Sequence, residues 1–519
     1  MELSTLLKAI TDFHLHGDDA VQISAVSCDS RTVTTGTLFF ALHGATVDGH
    51  NFIAAAVAAG ASAVLLENDS FAPTEIPWIR VTDGRTAMAR ISAEFYGNPT
   101  LGRPLIGITG TNGKTTTTYL IEAILTAAGI PPAVLGTISY RFGPTTIAAS
   151  HTTPESTELQ AALRRLADAG ARSFVMEVSS HALEQKRVDG CHFDVGIFSN
   201  LTRDHLDYHK TMESYLESKQ RLFSELLCPT DAKPQRRAAI NMDDPYGAGI
   251  AQRANCPVIT YGIDYRGDVQ VRDLSSSVNG ISGTLITPKG QFAFQSRLVG
   301  RFNLSNILAA VSAGIALGLP LEAIKNGIET HATVPGRMER VNNTRGITLL
   351  VDYAHTGDAL ENVLSTLQEL ATGRIITVFG CGGDRDPGKR PIMGRIAAQM
   401  SDLAIATSDN PRTEDPHAIL AQVKAGMTEV LPPFQGEGRG GDGVREYTLE
   451  ELSTDFSKKG FIMLENRAEA IRLAVRLAHP GDIVLLAGKG HEDYQIIGTT
   501  KQHFDDREQA AQACAELAA

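Results

Sequence analysis

A chain of 519 residues, 43% hydrophobic and 20% charged, can bury several cores, and its length alone points to about three domains. Its formal net charge of −12 repels phosphate backbones and anionic bilayers, which argues against nucleic acid or a membrane as partner. The six cysteines are scattered without a C-x-x-C pair, so neither structural zinc nor a disulfide framework is expected, and reduced thiols fit the cytoplasm.

The N-terminus lacks the basic and then apolar pattern of an export signal, and no segment approaches the ~18 apolar residues of a membrane span. Short β-branched runs alternate with longer Ala/Leu-rich helical patterns, which predicts α/β layers around largely parallel sheets. The first block, residues 1–100, reads as strand 36–42, helix 52–59 and strand 62–66. Asn-Pro and Arg-Pro steps at 98–104 form a linker. The second block, 101–335, opens on the strand Leu105–Thr109 and closes on the turn-rich Thr333-Val334-Pro335-Gly336. The third, 336–519, repeats strand and helix at 347–352, 375–379, 391–400, 403–407, 462–464, 468–477 and Ile483–Ala487, the pattern of a Rossmann-like, doubly wound sheet. A Gly-rich polar stretch at 432–445 reads as a mobile surface insertion.

Directly after the strand Leu105–Thr109 comes Gly110-Thr111-Asn112-Gly113-Lys114-Thr115-Thr116 and then a helical pattern. Glycines let backbone N–H groups close around phosphate oxygens, Lys114 adds a point charge, and Thr115 can offer its hydroxyl to Mg²⁺. Ile108 stands where the strict G-x-x-x-x-G-K-[ST] pattern has its first glycine, which speaks against an ordinary GTPase or motor loop. Glu177 ends a buried-type strand, and His205 lies in the ligand-dense run Asn200–His209 behind another strand. Singly, each suits a capping or solvated role; together, at strand ends of the sheet that carries the phosphate loop, they form a candidate metal site. Read as a residue alone, Lys219 is a surface helix lysine, and Asn306 suits a helix N-cap.

These motifs resemble the Mur ligases, which assemble the peptide of peptidoglycan, and among them the MurE type, over essentially the whole chain. The resemblance implies a small α/β N-terminal substrate domain, a central P-loop ATP domain and a C-terminal Rossmann-like domain that takes the amino acid. It implies that residues 110–116, Asn306, Arg337 and Asp352 meet ATP. Thr115, Glu177, His205 and a carbamate formed on Lys219 by CO₂ would hold Mg²⁺, and Lys114, Lys219, His205 and Glu177 would form the catalytic set. Ser30, His43, Gly44, Ala45, Thr152, Thr153, Ser179, Gln185 and Arg187 fall where the family contacts its UDP-muramoyl-dipeptide, although His151 stands where the family often has Asn ahead of the Thr-Thr pair. Arg385, Asp409, Asn410, Pro411, Arg412, Gly488 and Glu492 match the pocket for meso-diaminopimelate, whose extra carboxylate a guanidinium fork suits.

The implied reaction is ATP-dependent amide ligation through an acyl phosphate, by a cytoplasmic monomer acting on small molecules. The rivals are an L-lysine-adding ligase, which should lack the D-N-P-R arginine, a folylpolyglutamate synthase, which would not need the Asp29-Ser30-Arg31 domain, and a P-loop kinase or NTPase, which would leave the third domain idle. An NAD site at Gly380-Cys381-Gly382-Gly383 is weak, because Arg385 takes the place of the third glycine.

Overall fold

The computed structural model describes residues 1–44, 47–277, 280–330, 333–430 and 444–517. Ala45 and the part of the 432–445 stretch up to residue 443 therefore lie outside the described residues.

In the first block a five-stranded sheet runs, in spatial order, Phe13–His16, Trp78–Val81, Ala61–Leu66, Thr37–Ala41 and Ala25–Ser27, with only Phe13–His16 antiparallel to its neighbour. Alternate residues of each strand leave opposite faces. Leu38, Phe40 and Leu65 meet Ala87, Met88 and Ile91 of the helix Gly84–Phe95, while Phe39, Ala41, Val64 and Leu66 meet the helix Ile53–Ala58. The helix expected at 52–59 starts one turn earlier, as a 3₁₀ turn capped by Asp48.

In the second block Val258–Tyr261, Arg237–Asn241, Val195–Phe198, Leu105–Thr109, Ser173–Glu177 and Pro132–Leu135 run parallel, and Ser139–Phe142 with Thr145–Ala148 adds an antiparallel edge. The helices Lys114–Ala127 and Arg301–Ala316 pack on one face; Ser156–Asp168 and Met212–Arg221 pack on the other. A separate antiparallel sheet of Gln270–Ser277, Gly280–Thr287 and Gly290–Ser296 was not expected. Its first strand is polar and mostly exposed, so it carries almost no hydrophobic alternation to read.

The third block has a seven-stranded sheet ordered Glu339–Val341, Thr348–Asp352, Ile483–Ala487, Ile375–Cys381, Leu403–Ser408, Gly460–Met463 and Arg445–Glu446, antiparallel only at the first pair. Leu349, Val351, Ile376, Val378, Val484 and Leu486 pack on the helices Arg467–Leu477 and Asp506–Glu516. Leu350, Ile375, Phe379, Ala404 and Leu485 pack on Gly357–Leu370, Lys389–Met400 and Pro416–Thr428. Helices on both faces of a parallel sheet make it doubly wound, as expected.

One ionic tie holds this block at its carboxyl edge. Arg467 and Asp506 are both fully buried and bond through a double fork of 2.8 and 2.6 Å, and Arg467 also donates to the Ala487 carbonyl at 3.0 Å. Asp506→Ala would leave a buried guanidinium without its anion, at a cost of about 3–5 kcal/mol. Chemical denaturation should show that loss in the variant; a loss under ~1 kcal/mol would mean water replaces the carboxylate.

Candidate active site

The strand Leu105–Thr109 lies between Ser173–Glu177 and Val195–Phe198, where the chain's winding reverses direction, and such switch points leave a crevice at the strands' carboxyl ends. The phosphate loop sits there. Gly113, with φ +88°, caps the helix Lys114–Ala127. A Cβ at Gly113 would come within 2.3 Å of Asn306 Oδ1, so both backbone freedom and space call for glycine. Thr111 N donates to the Asn200 carbonyl at 2.9 Å, and Asn112 N to Asn200 Oδ1 at 2.8 Å. Lys114 Nζ lies over its own loop, donating to the carbonyls of Gly110 and Thr111 at 2.9 and 2.8 Å. Burial lowers the Lys114 pKa, and Glu177 and Asp204 oppose the shift. Thr116 is buried one residue beyond Thr115.

Glu177 is 2% exposed. Its carboxylate accepts Thr115 Oγ1 at 3.0 Å, and Thr137 N and Oγ1 at 3.1 Å each. A carboxylate beside a hydroxyl offers the hard oxygens that a magnesium ion prefers. Lys219 is not the surface lysine its residue type predicts: it is 1% exposed, donates to the Gly110 carbonyl at 2.9 Å and stands 4.4 Å over the Tyr215 ring. The helix Met212–Arg221 turns Tyr215, Ser218 and Lys219 inward, and its polar composition hides that face in the sequence. Burial, with Lys114 alongside, holds the Lys219 amine well below the usual lysine range. His205 sits at φ +54° ahead of the helix Leu206–His209, with its ring about half exposed, Nε2 3.4 Å from Asp204 Oδ2 and edge-on to His181. Among the described residues no three His, Cys, Asp or Glu side chains are grouped to hold a metal.

Asn306 is no N-cap. It lies inside the helix Arg301–Ala316, buried under Gly113, bonded to Asn303 Oδ1 at 3.1 Å and to Thr117 Oγ1 at 3.4 Å. From the third block, Arg337 Nη2 reaches Thr115 Oγ1 at 3.3 Å, and its guanidinium lies 4.9 Å from the centre of the Tyr353 ring. Asp352, buried at its strand end, accepts Met338 N at 2.7 Å; burial raises its pKa and Arg337 opposes the rise. Sequence reading missed Asp358, whose carboxylate accepts Asn112 Nδ2 at 2.8 Å and Thr202 Oγ1 at 3.1 Å. An acidic residue in a helix's first turn reads as a dipole partner, and nothing local marks it as reaching the phosphate loop.

On the other side, the five muramoyl-peptide candidates form one network. Thr152 Oγ1 lies 3.0 Å from Thr137 Oγ1, and Thr153 Oγ1 donates to the Glu177 carbonyl at 2.8 Å and accepts Ser179 N at 3.1 Å. Gln185 Oε1 accepts Arg187 Nη2 at 2.7 Å, and Arg187 also donates to the Thr153 carbonyl at 2.9 Å and pairs with Glu155 at 2.8 Å. Ser30, His43 and Gly44 follow the neighbouring parallel strands Ala25–Ser27 and Thr37–Ala41 of the first block, and among the described residues His43 and Gly44 bond within that block, to Glu67 and Val47. An ion pair between Lys186 and Asp83 joins the two blocks.

The amino-acid candidates gather at the carboxyl ends of the third sheet. Asp409 is buried beside Lys489 Nζ at 3.2 Å; burial works to raise its pKa, yet Lys489 and Arg467 hold it below the usual range. Asn410 Nδ2 donates to Glu492 Oε2 at 2.9 Å, and burial together with Asp409 raises the Glu492 pKa. Pro411 is buried, and Gly488, with φ +113°, donates its N–H to the Asp352 carbonyl at 3.0 Å. Arg412, at φ +51°, donates Nη1 to the Gly383 carbonyl at 2.7 Å, and Arg385 on the facing loop is exposed. Lys489, fully buried between Asp409 and Glu492, was not expected, since a lysine between glycines reads as a loop cation. Contacts run without a break from Thr115 through Arg337 and Tyr353 to Glu492, whose Oε1 lies 3.5 Å from the Tyr353 hydroxyl.

Three family models match in succession: the Mur ligase family catalytic domain over 22–96, the Mur ligase middle domain over 108–314 and the Mur ligase glutamate ligase domain over 336–490. The UDP-N-acetylmuramoyl-L-alanyl-D-glutamate--2,6-diaminopimelate ligase of Geobacter metallireducens is 61% identical, covering 100% of this chain and 99% of its own. The protein of the same name from Geobacillus kaustophilus is 43% identical over 99% and 100% of the two chains. A solved structure carrying that name superposes with a TM-score of 0.69 at 34% identity, over 100% of this chain and 99% of the other. With all three blocks matched, and in this order, the chain belongs to the Mur ligase family.

Proposed function

We propose that this ligase joins an amino group of meso-2,6-diaminopimelate to the γ-carboxylate of D-glutamate in UDP-N-acetylmuramoyl-L-alanyl-D-glutamate, converting ATP to ADP and phosphate for peptidoglycan precursor synthesis. The observation that carries this reading is the unbroken line of contacts from the phosphate loop to a pocket holding both Arg412 and Glu492. One cation for the distal carboxylate and one anion for the distal ammonium suit a substrate end that bears both charges.

The glutamate carboxylate attacks the γ-phosphorus of ATP, and ADP leaves, giving an acyl phosphate. Lys114 exchanges its loop carbonyls for phosphate oxygens, the loop's N–H groups hold the rest, and Arg337 adds positive charge from the third domain. Held by Thr115, Glu177, His205 and carbamylated Lys219, Mg²⁺ would neutralise phosphate charge when bound. The amine then adds to the acyl carbon, loses its proton and expels phosphate, leaving the amide. The Thr152–Arg187 network positions the dipeptide and Asn306 braces the loop from beneath; registering three reactants is the protein's main contribution. The enzyme acts in the cytoplasm as a monomer. Six free cysteines suit a reducing compartment, and no helix among the described residues is long and apolar enough to cross a membrane.

The test is product mass after incubation with ATP, Mg²⁺, bicarbonate and the UDP-muramoyl dipeptide, with meso-diaminopimelate or L-lysine offered in parallel. A diaminopimelate adduct with stoichiometric ADP supports the reading, whereas a lysine adduct, or none, overturns it. A neutral amine attacks CO₂ and an ammonium does not, and burial with Lys114 alongside shifts Lys219 toward its neutral form, the direction carbamylation needs. Activity should therefore fall severalfold in rigorously CO₂-free buffer and return with bicarbonate. Indifference to CO₂, together with an unmodified Lys219 by ¹³C NMR, would remove the carbamate from the site.

A further inference from the structure

The two loops that carry Arg385 and Arg412 are held by a clamp outside the pocket itself, in which a buried arginine grips a half-buried glutamate. Arg390, on the helix Lys389–Met400, is 1% exposed. It forks onto Glu414 at 2.9 and 2.8 Å, donates to Gln422 at 3.0 Å and to the Gly382 carbonyl at 3.3 Å. Glu414 in turn accepts the backbone N–H of Asp384 at 2.5 Å. Asp384 sits at φ +53°, and its carboxylate receives Thr413 Oγ1 at 2.7 Å and Thr413 N at 3.2 Å. Gly383 N–H donates to the Asn410 carbonyl at 2.9 Å, and Arg412 returns a bond to the Gly383 carbonyl at 2.7 Å. The 382–385 loop and the 409–414 loop are thus stitched at several points, and each stitch has one end within two residues of Gly382 or Glu414, the residues Arg390 holds.

We infer that Arg390 and Glu414 are positioning residues for amino-acid specificity, because their fork fixes the two loops that present Arg385 and Arg412 to the substrate's distal carboxylate. This rests on the function proposed above. A planar fork defines both distance and angle, so the geometry passes from Arg390 through Glu414 to the left-handed turn at Asp384. The helix Lys389–Met400 packs against Pro416–Thr428, so the clamp spans the roots of both loops and holds their separation.

Glu414→Ala should raise KM for meso-diaminopimelate about tenfold or more, with KM for ATP and for the UDP-muramoyl dipeptide moving less than about twofold. Glu414→Gln, which keeps one acceptor, should recover part of the loss, and both variants should narrow the preference for diaminopimelate over lysine. Arg395→Ala, on the same helix with an exposed ion pair to Glu429 at 3.6 Å, serves as the control and should change no KM. A diaminopimelate KM unchanged in Glu414→Ala, or all three KM values rising together with a lowered thermal midpoint, overturns the inference. A wild-type enzyme that ligates no diaminopimelate overturns the proposed function and this inference with it.

Discussion

Lys114→Met should slow ATP-dependent ligation by about 10²–10³-fold. The side chain is partly buried, and among the described residues no acid pairs with it: its Nζ rests on the carbonyls of Gly110 and Thr111 at 2.9 and 2.8 Å. Those two bonds hold the ammonium over the loop without neutralising it, so arriving phosphate oxygens meet a cation already placed. Burial tends to discharge it, and the more distant Glu177 and Asp204 oppose that. Lys114→Arg should not restore the rate, because a planar fork does not fill the place of a compact ammonium. Phosphate release under saturating substrates measures the effect, and titration calorimetry with the UDP-muramoyl dipeptide checks that the first domain's binding survives. A loss under about tenfold in both variants would move the transition-state charge away from Lys114.

Arg412→Ala should lower kcat/KM for meso-diaminopimelate by about 30- to 1000-fold, the equivalent of the ~2–4 kcal/mol lost when one partner of a desolvated charge pair is truncated. Lysine, which has no distal carboxylate, should lose almost nothing, so the preference between the two collapses. The backbone at this position is held apart from the side chain's role: Arg412 N donates to the Ile496 carbonyl at 3.1 Å, and its own carbonyl accepts Gly498 N at 2.8 Å. The φ of +51° there strains any residue with a Cβ alike, so Ala inherits the turn as it stands. Arg412→Lys keeps the charge and loses the fork, and should fall between the two. Competition between diaminopimelate and lysine, read by product mass, settles the point, and an undiminished preference in Arg412→Ala would leave specificity to Arg385 and Glu492.

Much of this architecture was legible before any coordinates. The strands Val195–Phe198 and Ile483–Ala487 appear with the expected limits, and the helix expected after Thr116 is there but starts earlier, at Lys114 inside the loop motif. Each of these signals is local: a buried parallel strand is a short apolar run, and a glycine at positive φ stops one element and starts the next. The hairpin Tyr494–Ile497 with Thr500–His503 was missed because its second strand is wholly exposed and polar, leaving no alternation to detect.

Site membership divides along the same line. The sequence by itself determined that a Gly-Lys-Thr loop follows a strand, that Glu177 ends one and that an Asn-Pro turn stands at 410–411, because each is a contiguous pattern legible from neighbours along the chain. Tertiary structure alone decided that Lys219 is a buried, weakly basic amine, that Asp358 touches the phosphate loop from another domain, and that Arg390 and Glu414 bind two loops together. Burial and long-range pairing set those properties. A lysine on a polar helix and an arginine just past a motif look the same in sequence whether they meet water or a carboxylate, and only the packing of distant segments chooses between the two.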